Sequence, residues 1–329
     1  MTTSGQPLER REFEAQRLFD EHPPVLHDRN KRAVLEIACP AGSPHGGRVV
    51  FTRWAAMPLP ASFAPGRSAG IVVRHDGFYD YRPVLAAPGA VEWHVNFADP
   101  HLFFGYGGSL FAQDEIQVAE HPILGSLREA LAAGGATPLT AERGRPTPVL
   151  VAGAERRCHV ATDPDPARGR PEGLYGNEFG RAPADAVRRA TKRIDPPTVT
   201  NLVAIAAPAC GHGRYSAGEI GHVLATAYTG FRAAVLESGA GPVAIHTGFW
   251  GCGAFGGNRV LMTMLQVLAA EAAGVGRLVV HAPGAAGAAV VASALEALRG
   301  ELAETDVESG ELACRLAARG FEWGESDGN

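Results

Sequence analysis

From residue 199 onward, apolar and polar positions alternate in blocks that predict regular structure. Val199–Ala207 is a continuous apolar run of strand length, and Ala217–Glu237 carries helical spacing. Val243–His246 predicts a second buried strand and Arg259–Ala273 a second helix. Leu278–His281 and Ala285–Leu302 predict a third pair. Buried strands alternating with helices imply a largely parallel sheet covered on both faces.

The first half is less regular. Residues 7–20 read as one amphipathic helix ended by Pro23-Pro24. Apolar, β-rich segments follow at 33–39, 47–55, 71–75 and 91–98, and these strands should extend the sheet with some antiparallel members. Residues 121–133 predict a helix. The Gly/Pro-rich stretches 134–148 and 161–173 predict surface loops. No repeat or linker divides the chain. The expected organisation is an N-terminal extension over 1–46, with a short helix and first strand, and one α/β domain over 47–329.

The most informative stretch lies between the second strand and second helix of the regular half. It reads Thr-Gly-Phe-Trp-Gly-Cys-Gly-Ala-Phe-Gly-Gly-Asn over residues 247–258. Strand, glycine loop and helix form an anion pocket, because glycine lets the backbone approach a phosphate and the helix amides face its charge. Trp250 and Phe255 suggest a flat or apolar ligand part beside it. A dinucleotide fingerprint fits poorly. The loop comes late in the chain, and the next strand ends in His281-Ala-Pro rather than a ribose-binding acid.

A second constellation spans residues 95–117, where a Gly/aromatic loop runs into Gln113-Asp114-Glu115. Adjacent carboxylates can divide the work of glycosidic chemistry, one protonated as general acid and the other charged. Taken alone, the triplet reads first as the start of a solvated helix whose acids favour the dipole.

Composition narrows the field. The 329 residues are 46% hydrophobic and 20% charged, with a formal net charge of −5, which argues against a broad grip on nucleic acid or an anionic membrane. Lys31 and Lys192 are the only lysines. Five scattered cysteines without a C-x-x-C pair suit a reducing compartment and carry no metal signature. Met1–Pro24 lacks a signal-peptide core, and no apolar run is long enough to cross a bilayer, so a cytoplasmic location is expected. His212 and His222 lack a third partner with metal-ligand spacing. The phosphate-loop, zinc-hydrolase and serine-elbow motifs are absent.

Together the two constellations resemble the catalytic macrodomain of the poly(ADP-ribose) glycohydrolases, particularly the animal type. The family's second glycine loop reads T-G-N-W-G-C-G-A-F-G-G-D, against TGFWGCGAFGGN here. LATAYTGF (224–231), NLVAIAA (201–207) and RVVFTR (48–53) are similar to the family's N-K-A-Y-C-G-F helix end, its E-I-V-A-I-D-A strand and its K-V-T-F-S-R strand. The resemblance runs with gaps from about residue 47 to about residue 320. It implies a macrodomain-like three-layer α/β/α fold with a mixed, mostly parallel central sheet, and a glycosidase needing no metal or redox cofactor.

The family's catalytic acid falls on Glu115 and the middle acid of its motif on Asp114, with Gln113 before them. The resemblance places the diphosphate along Gly253, Ala254, Phe255, Gly256 and Gly257, with Phe255 against the terminal ribose. Phe249, Trp250 and Gly251 complete that loop; Asp99 and Gly105 belong to the first. Tyr175, in Leu-Tyr-Gly-Asn-Glu-Phe (174–179), is the candidate to stack on adenine. Cys252 matches a family cysteine without nucleophilic use.

Several positions depart from the pattern. Aligned without gaps, the family's triple glycine falls on Phe103-Phe104-Gly105, where a benzyl group would obstruct a diphosphate. Asn96 and Asp99 exchange the family's acid and amide, and Phe249 and Asn258 replace its Asn and Asp. The implied activity is hydrolysis of the O-glycosidic ribose–ribose bond of poly(ADP-ribose) or a related ADP-ribosyl substrate. The alternatives are an ADP-ribose-binding macrodomain without turnover, and a hydrolase of a small NAD-derived or ribosylated metabolite.

Overall fold

The computed structural model describes residues 5–64, 68–136, 138–302 and 306–328. Eight strands form its central sheet: β1 (Pro7–Glu14), β2 (Arg48–Trp54), β3 (Val72–His75), β4 (Val91–Ala98), β5 (Val149–Val160), β6 (Thr191–Ala206), β7 (Val243–Thr247) and β8 (Arg277–His281). Their spatial order is β1-β2-β5-β6-β4-β7-β8-β3. From β6 to β3 every neighbouring pair is parallel, and from β1 to β6 every pair is antiparallel. The sheet is therefore mixed, and three of its five parallel strands, β6, β7 and β8, come from the regular half of the chain.

Helices cover both faces. On one side lie α5 (Ala217–Glu237), α6 (Arg259–Ala273), α7 (Gly284–Glu301) and α8 (Ser309–Ala318), packed on Trp93, Val95, Val203, Ile205 and Ile245. On the other lie α1 (Ala15–Glu21), α3 (Gln113–Glu120) and α4 (Ile123–Ala133), sharing a core with Val49, Phe51, Val149, Val151 and Leu202. A third cluster seats α2 (Arg29–Ala38) against Phe111, Cys158 and Phe179. This is the expected three-layer α/β/α arrangement. Among the described residues no helix is long and apolar enough to cross a membrane.

The N-terminal readings need correction. Residues 7–14 are a strand, not the start of a helix; the helix begins at Ala15 and runs only to Glu21. Antiparallel pairing with β2, from Glu14↔Arg48 to Pro7↔Trp54, overrides the local helical pattern. This edge strand is densely charged, which discourages pairing with another chain. Residues 33–39, read as β-rich, lie mostly in helix α2. Asp28 caps it, accepting hydrogen bonds from the amides of Asn30 (2.8 Å) and Lys31 (3.1 Å).

Strand β5 was not visible in the pattern. Charges interrupt it, yet Glu155, Arg156 and Arg157 are all buried in partnered form: Arg156 Nε donates to Glu120 (2.8 Å) and Arg157 Nη2 to Glu155 (2.6 Å). Strand β6 likewise starts at Thr191, ahead of the predicted Val199. The predicted loop 134–148 contains a two-rung hairpin, Ala141–Glu142 against Arg145–Pro146.

Candidate functional site

Strands β4 and β7 are parallel neighbours, so their carboxyl ends open on the same edge of the sheet. The two glycine-rich loops leave from those ends, residues 99–112 after β4 and 248–258 after β7. Where parallel strands end side by side, outgoing loops form a crevice suited to a ligand. Gly248 marks the closeness: a Cβ there would lie 3.4 Å from the Phe97 ring.

In the first loop the two phenylalanines go different ways. Phe103 is fully buried among Leu102, Tyr106 and Leu127, and its backbone takes φ 54°, a left-handed conformation unusual for a bulky residue. Phe104 is 69% exposed, its ring near His101. Phe103 therefore anchors the loop from beneath, and Gly105 follows at the wall of the crevice. A Cβ on Gly105 would collide with Glu115 Oε1 and lie 3.3 Å from its Cδ. Only glycine leaves room for that carboxyl.

The Gln113-Asp114-Glu115 triplet opens α3, and its members face different partners. Gln113 ties the helix to β4: its Oε1 accepts from the Phe97 amide (2.8 Å) and its Nε2 donates to Val95 O (3.1 Å). Asp114 is buried and accepts from Asn96 Nδ2 (2.9 Å), which also donates to Gln117 Oε1 (2.9 Å). The acid–amide exchange at Asn96 thus supplies a donor for a buried carboxyl. Glu115 is buried beside Gly105, and its Oε2 accepts from the Ala112 amide (3.1 Å), capping its own helix. Asp99 sits at the rim, half-exposed, accepting from the His101 amide (2.8 Å).

Burial pushes both adjacent carboxyls upward. For Asp114, burial acts together with the neighbouring Glu115 charge, and the Asn96 bond opposes it. For Glu115, burial dominates, opposed by the Lys31 ammonium and by the Ala112 amide. A carboxyl raised by burial keeps its proton closer to neutrality and becomes a competent acid.

Lys31 was read from the sequence only as one of two lysines, and the structure places it at the site. Its Nζ donates to Gly105 O (3.2 Å) and Tyr106 O (2.8 Å), fixing the loop wall against which Glu115 rests. It is 2% exposed; burial lowers it to about 8, against the opposing pull of Glu115, Asp114 and Asp28. The signal available in sequence was Asp28, a helix cap that puts Lys31 on the first turn of a helix.

In the second loop Trp250 turns inward. It is 1% exposed, and its Nε1 donates to Ile205 O (2.9 Å), so it pins the loop to β6. Gly251 (φ 73°) follows it; a Cβ there would lie 2.6 Å from Ala207 Cβ. Gly256 also takes a left-handed φ of 67°. Phe249 is half-buried under the Arg259 guanidinium, 5.2 Å from its ring centroid. Phe255 is half-buried, and its carbonyl accepts from the Cys210 amide (3.1 Å). Gly253, Ala254 and Gly257 complete the turn into α6. Asn258 caps that helix, accepting from the Leu261 amide (3.1 Å), a role that aspartate would fill as well. Burial drives the Cys252 thiol up to about 12, which removes it as a nucleophile.

Tyr175 lies on a segment zipped to the first loop by paired bonds between Phe111 and Gly176 (3.2 and 3.0 Å). Its hydroxyl meets the Gln113 backbone, and its ring is 40% exposed. It senses the charges of both Glu115 and Asp327. Asn177, on the same segment, donates to Gly328 O of a stretch whose Asp327 lies against Gly253, so the Tyr175 segment stands between the first loop and the second. His212 and His222 are not drawn into a cluster; among the described residues no group of three or more His, Cys, Asp or Glu could hold a metal.

Comparison with known proteins gives a match over residues 174–285 to the family described as poly(ADP-ribose) glycohydrolase (PARG), Macro domain fold. No curated protein matches the chain. Among solved structures, the poly(ADP-ribose) glycohydrolase of Thermomonospora curvata is 15% identical, with 87% of this chain and 85% of that one covered and a TM-score of 0.39. The same protein bound to the inhibitor ADP-HPD is 16% identical (88% and 84% covered, TM-score 0.40). The Deinococcus radiodurans protein in complex with ADP-ribose is 13% identical (88% and 94% covered, TM-score 0.41). At these scores the structural likenesses are distant and carry no weight for the site. The third of the chain that holds Tyr175 and the glycine loop matches the poly(ADP-ribose) glycohydrolase family, the family its motif resembles.

Proposed function

We propose that this protein hydrolyses the O-glycosidic ribose–ribose bond of poly(ADP-ribose) or of a related ADP-ribosyl substrate, with Glu115 as general acid and base. The observation that carries this reading is the Glu115 carboxyl, buried against Gly105 on the sheet edge from which the Gly253–Gly257 loop also leaves. Its burial-raised proton affinity suits protonation of the departing ribose oxygen as the ribosyl carbon gains oxocarbenium character. The resulting carboxylate then takes a proton from the incoming water. Asp114, held by Asn96, orients a ribose hydroxyl, and Lys31 positions the loop wall. The diphosphate lies along Gly253–Gly257, and Tyr175 offers its exposed ring to the adenine. A formal net charge of −5 argues against a broad electrostatic grip on nucleic acid, and we assign the protein to the cytoplasm.

The test is ADP-ribose release from poly(ADP-ribose), followed by chromatography, with the wild type and with Glu115→Gln. The wild type should release ADP-ribose and the variant should not, while ADP-ribose still binds both. A second reading, an ADP-ribose-binding module without turnover, is favoured by the Glu115 contact with the Ala112 amide, which satisfies a helix end without need of a substrate. Binding of ADP-ribose by the wild type with no release at high protein concentration would select it.

A further inference from the structure

We infer that residues 322–328 form a displaceable strap that closes the second glycine loop, with the Asp327 carboxylate standing where a ligand phosphate would lie. This rests on reading that loop as a diphosphate site. The strap has a firm root. Trp323 stacks on Tyr215 (ring centroids 4.1 Å apart, planes at 13°), and its amide donates to Gly213 O (2.8 Å). The Tyr215 hydroxyl in turn accepts from the Asn258 amide (3.1 Å), and Asn258 Nδ2 donates to Glu322 O (3.0 Å). The root is thus fastened to the residue that caps α6.

Beyond Trp323 the chain crosses the loop itself. The Gly324 amide donates to Gly256 O (2.8 Å), the Asp327 amide approaches Gly253 O (3.4 Å), and Asn177 Nδ2 donates to Gly328 O (2.9 Å). Asp327 Oδ2 lies so close to Gly253 that a Cβ there would sit 3.0 Å from it. Asn177 belongs to the Tyr175 segment, which is paired with the first loop through Phe111 and Gly176, so the strap reaches from the second glycine loop toward the first.

Root and crossing differ in strength. Residues 324–328 are all exposed and contain no apolar side chain, so polar contacts rather than buried apolar surface hold them. Such a segment opens at low free energy, hinging at Gly324 while the Trp323 stack stays closed. A diphosphate and the Asp327 carboxylate carry the same sign and claim the same backbone, so they exclude each other. The affinity measured for ADP-ribose is then the intrinsic affinity reduced by the fraction of molecules with the strap open.

Calorimetric titration of ADP-ribose into the full chain, Asp327→Asn and a chain ended at Gly324 tests this, together with amide hydrogen exchange at Gly324 and Asp327. Both variants should bind at least about threefold more tightly than the full chain. ADP-ribose should also speed exchange of the strap amides in the full chain. Equal affinity in all three proteins, with strap exchange unchanged by ADP-ribose, overturns the strap and leaves the proposed function standing. Absence of binding in all three defeats the diphosphate reading of the loop, and the strap with it.

Discussion

Gly105→Ala separates the geometry of the acid from the integrity of the fold. The new methyl would overlap Glu115 Oε1, and real Cβ contacts are not made below 3.0 Å. The carboxyl must therefore swing away by roughly half an ångström or more, whereas the backbone need not move because the obstructed atom ends a flexible side chain. Gly105 carries no left-handed φ, so alanine adds no backbone strain. The expected stability cost is about 1 kcal/mol, at the low end for overpacking. The expected catalytic cost is far larger, on the order of 10²-fold in kcat, because displacing a catalytic group by about an ångström has that effect. ADP-ribose affinity should change less, since the second loop is untouched. Urea denaturation, calorimetry with ADP-ribose and single-turnover release assays give the three numbers. A folded Gly105→Ala protein with kcat within about threefold of wild type would contradict the placement of Glu115 at the reacting bond.

Three further outcomes follow from the same geometry. Removing the Lys31 ammonium leaves burial of Glu115 less opposed, so its proton affinity rises further; the alkaline limb of kcat should move to higher pH in Lys31→Met, and stay near the wild-type position in Lys31→Arg. A limb that stays put or moves to lower pH in Lys31→Met would show that Lys31 does not act on the acid. Trp250→Ala should cost about 3–5 kcal/mol in denaturation, as for other buried tryptophans, and a loss under 1 kcal/mol would place Trp250 outside the core. Cys252 should resist thiol-modifying reagents near neutral pH, since its thiol is raised to about 12, and rapid modification mapped to Cys252 by mass spectrometry would contradict that.

The parallel half of the sheet was legible where its strands are buried on both faces, as Val243–Thr247 is, and its helices are long. Ala217–Glu237 and Arg259–Ala273 begin and end where their periodicity does. The antiparallel half was hidden by partners distant in sequence. Pro7–Glu14 becomes a strand only by pairing with Arg48–Trp54, and the charges of Val149–Val160 are buried only because Glu120 and residues of the strand itself neutralise them. Phe103 and Phe104 looked like obstructions because a linear alignment cannot show direction. One faces the core and the other solvent, leaving Gly105 alone against the acid. Trp250 looked like a ligand platform and is a core residue, since its indole reaches Ile205 O. Lys31 and the 322–328 segment escaped notice because long-range folding alone brings them to the crevice.

The central claim is that Glu115 moves the proton at a glycosidic bond. Release of ADP-ribose from poly(ADP-ribose) by Glu115→Gln, with ADP-ribose affinity measured on the same preparation, tests it most directly. A fall of at least about 10²-fold in release, with affinity within about threefold of wild type, is expected for loss of a general acid. Release at the wild-type rate by a folded, ADP-ribose-binding Glu115→Gln protein would contradict it.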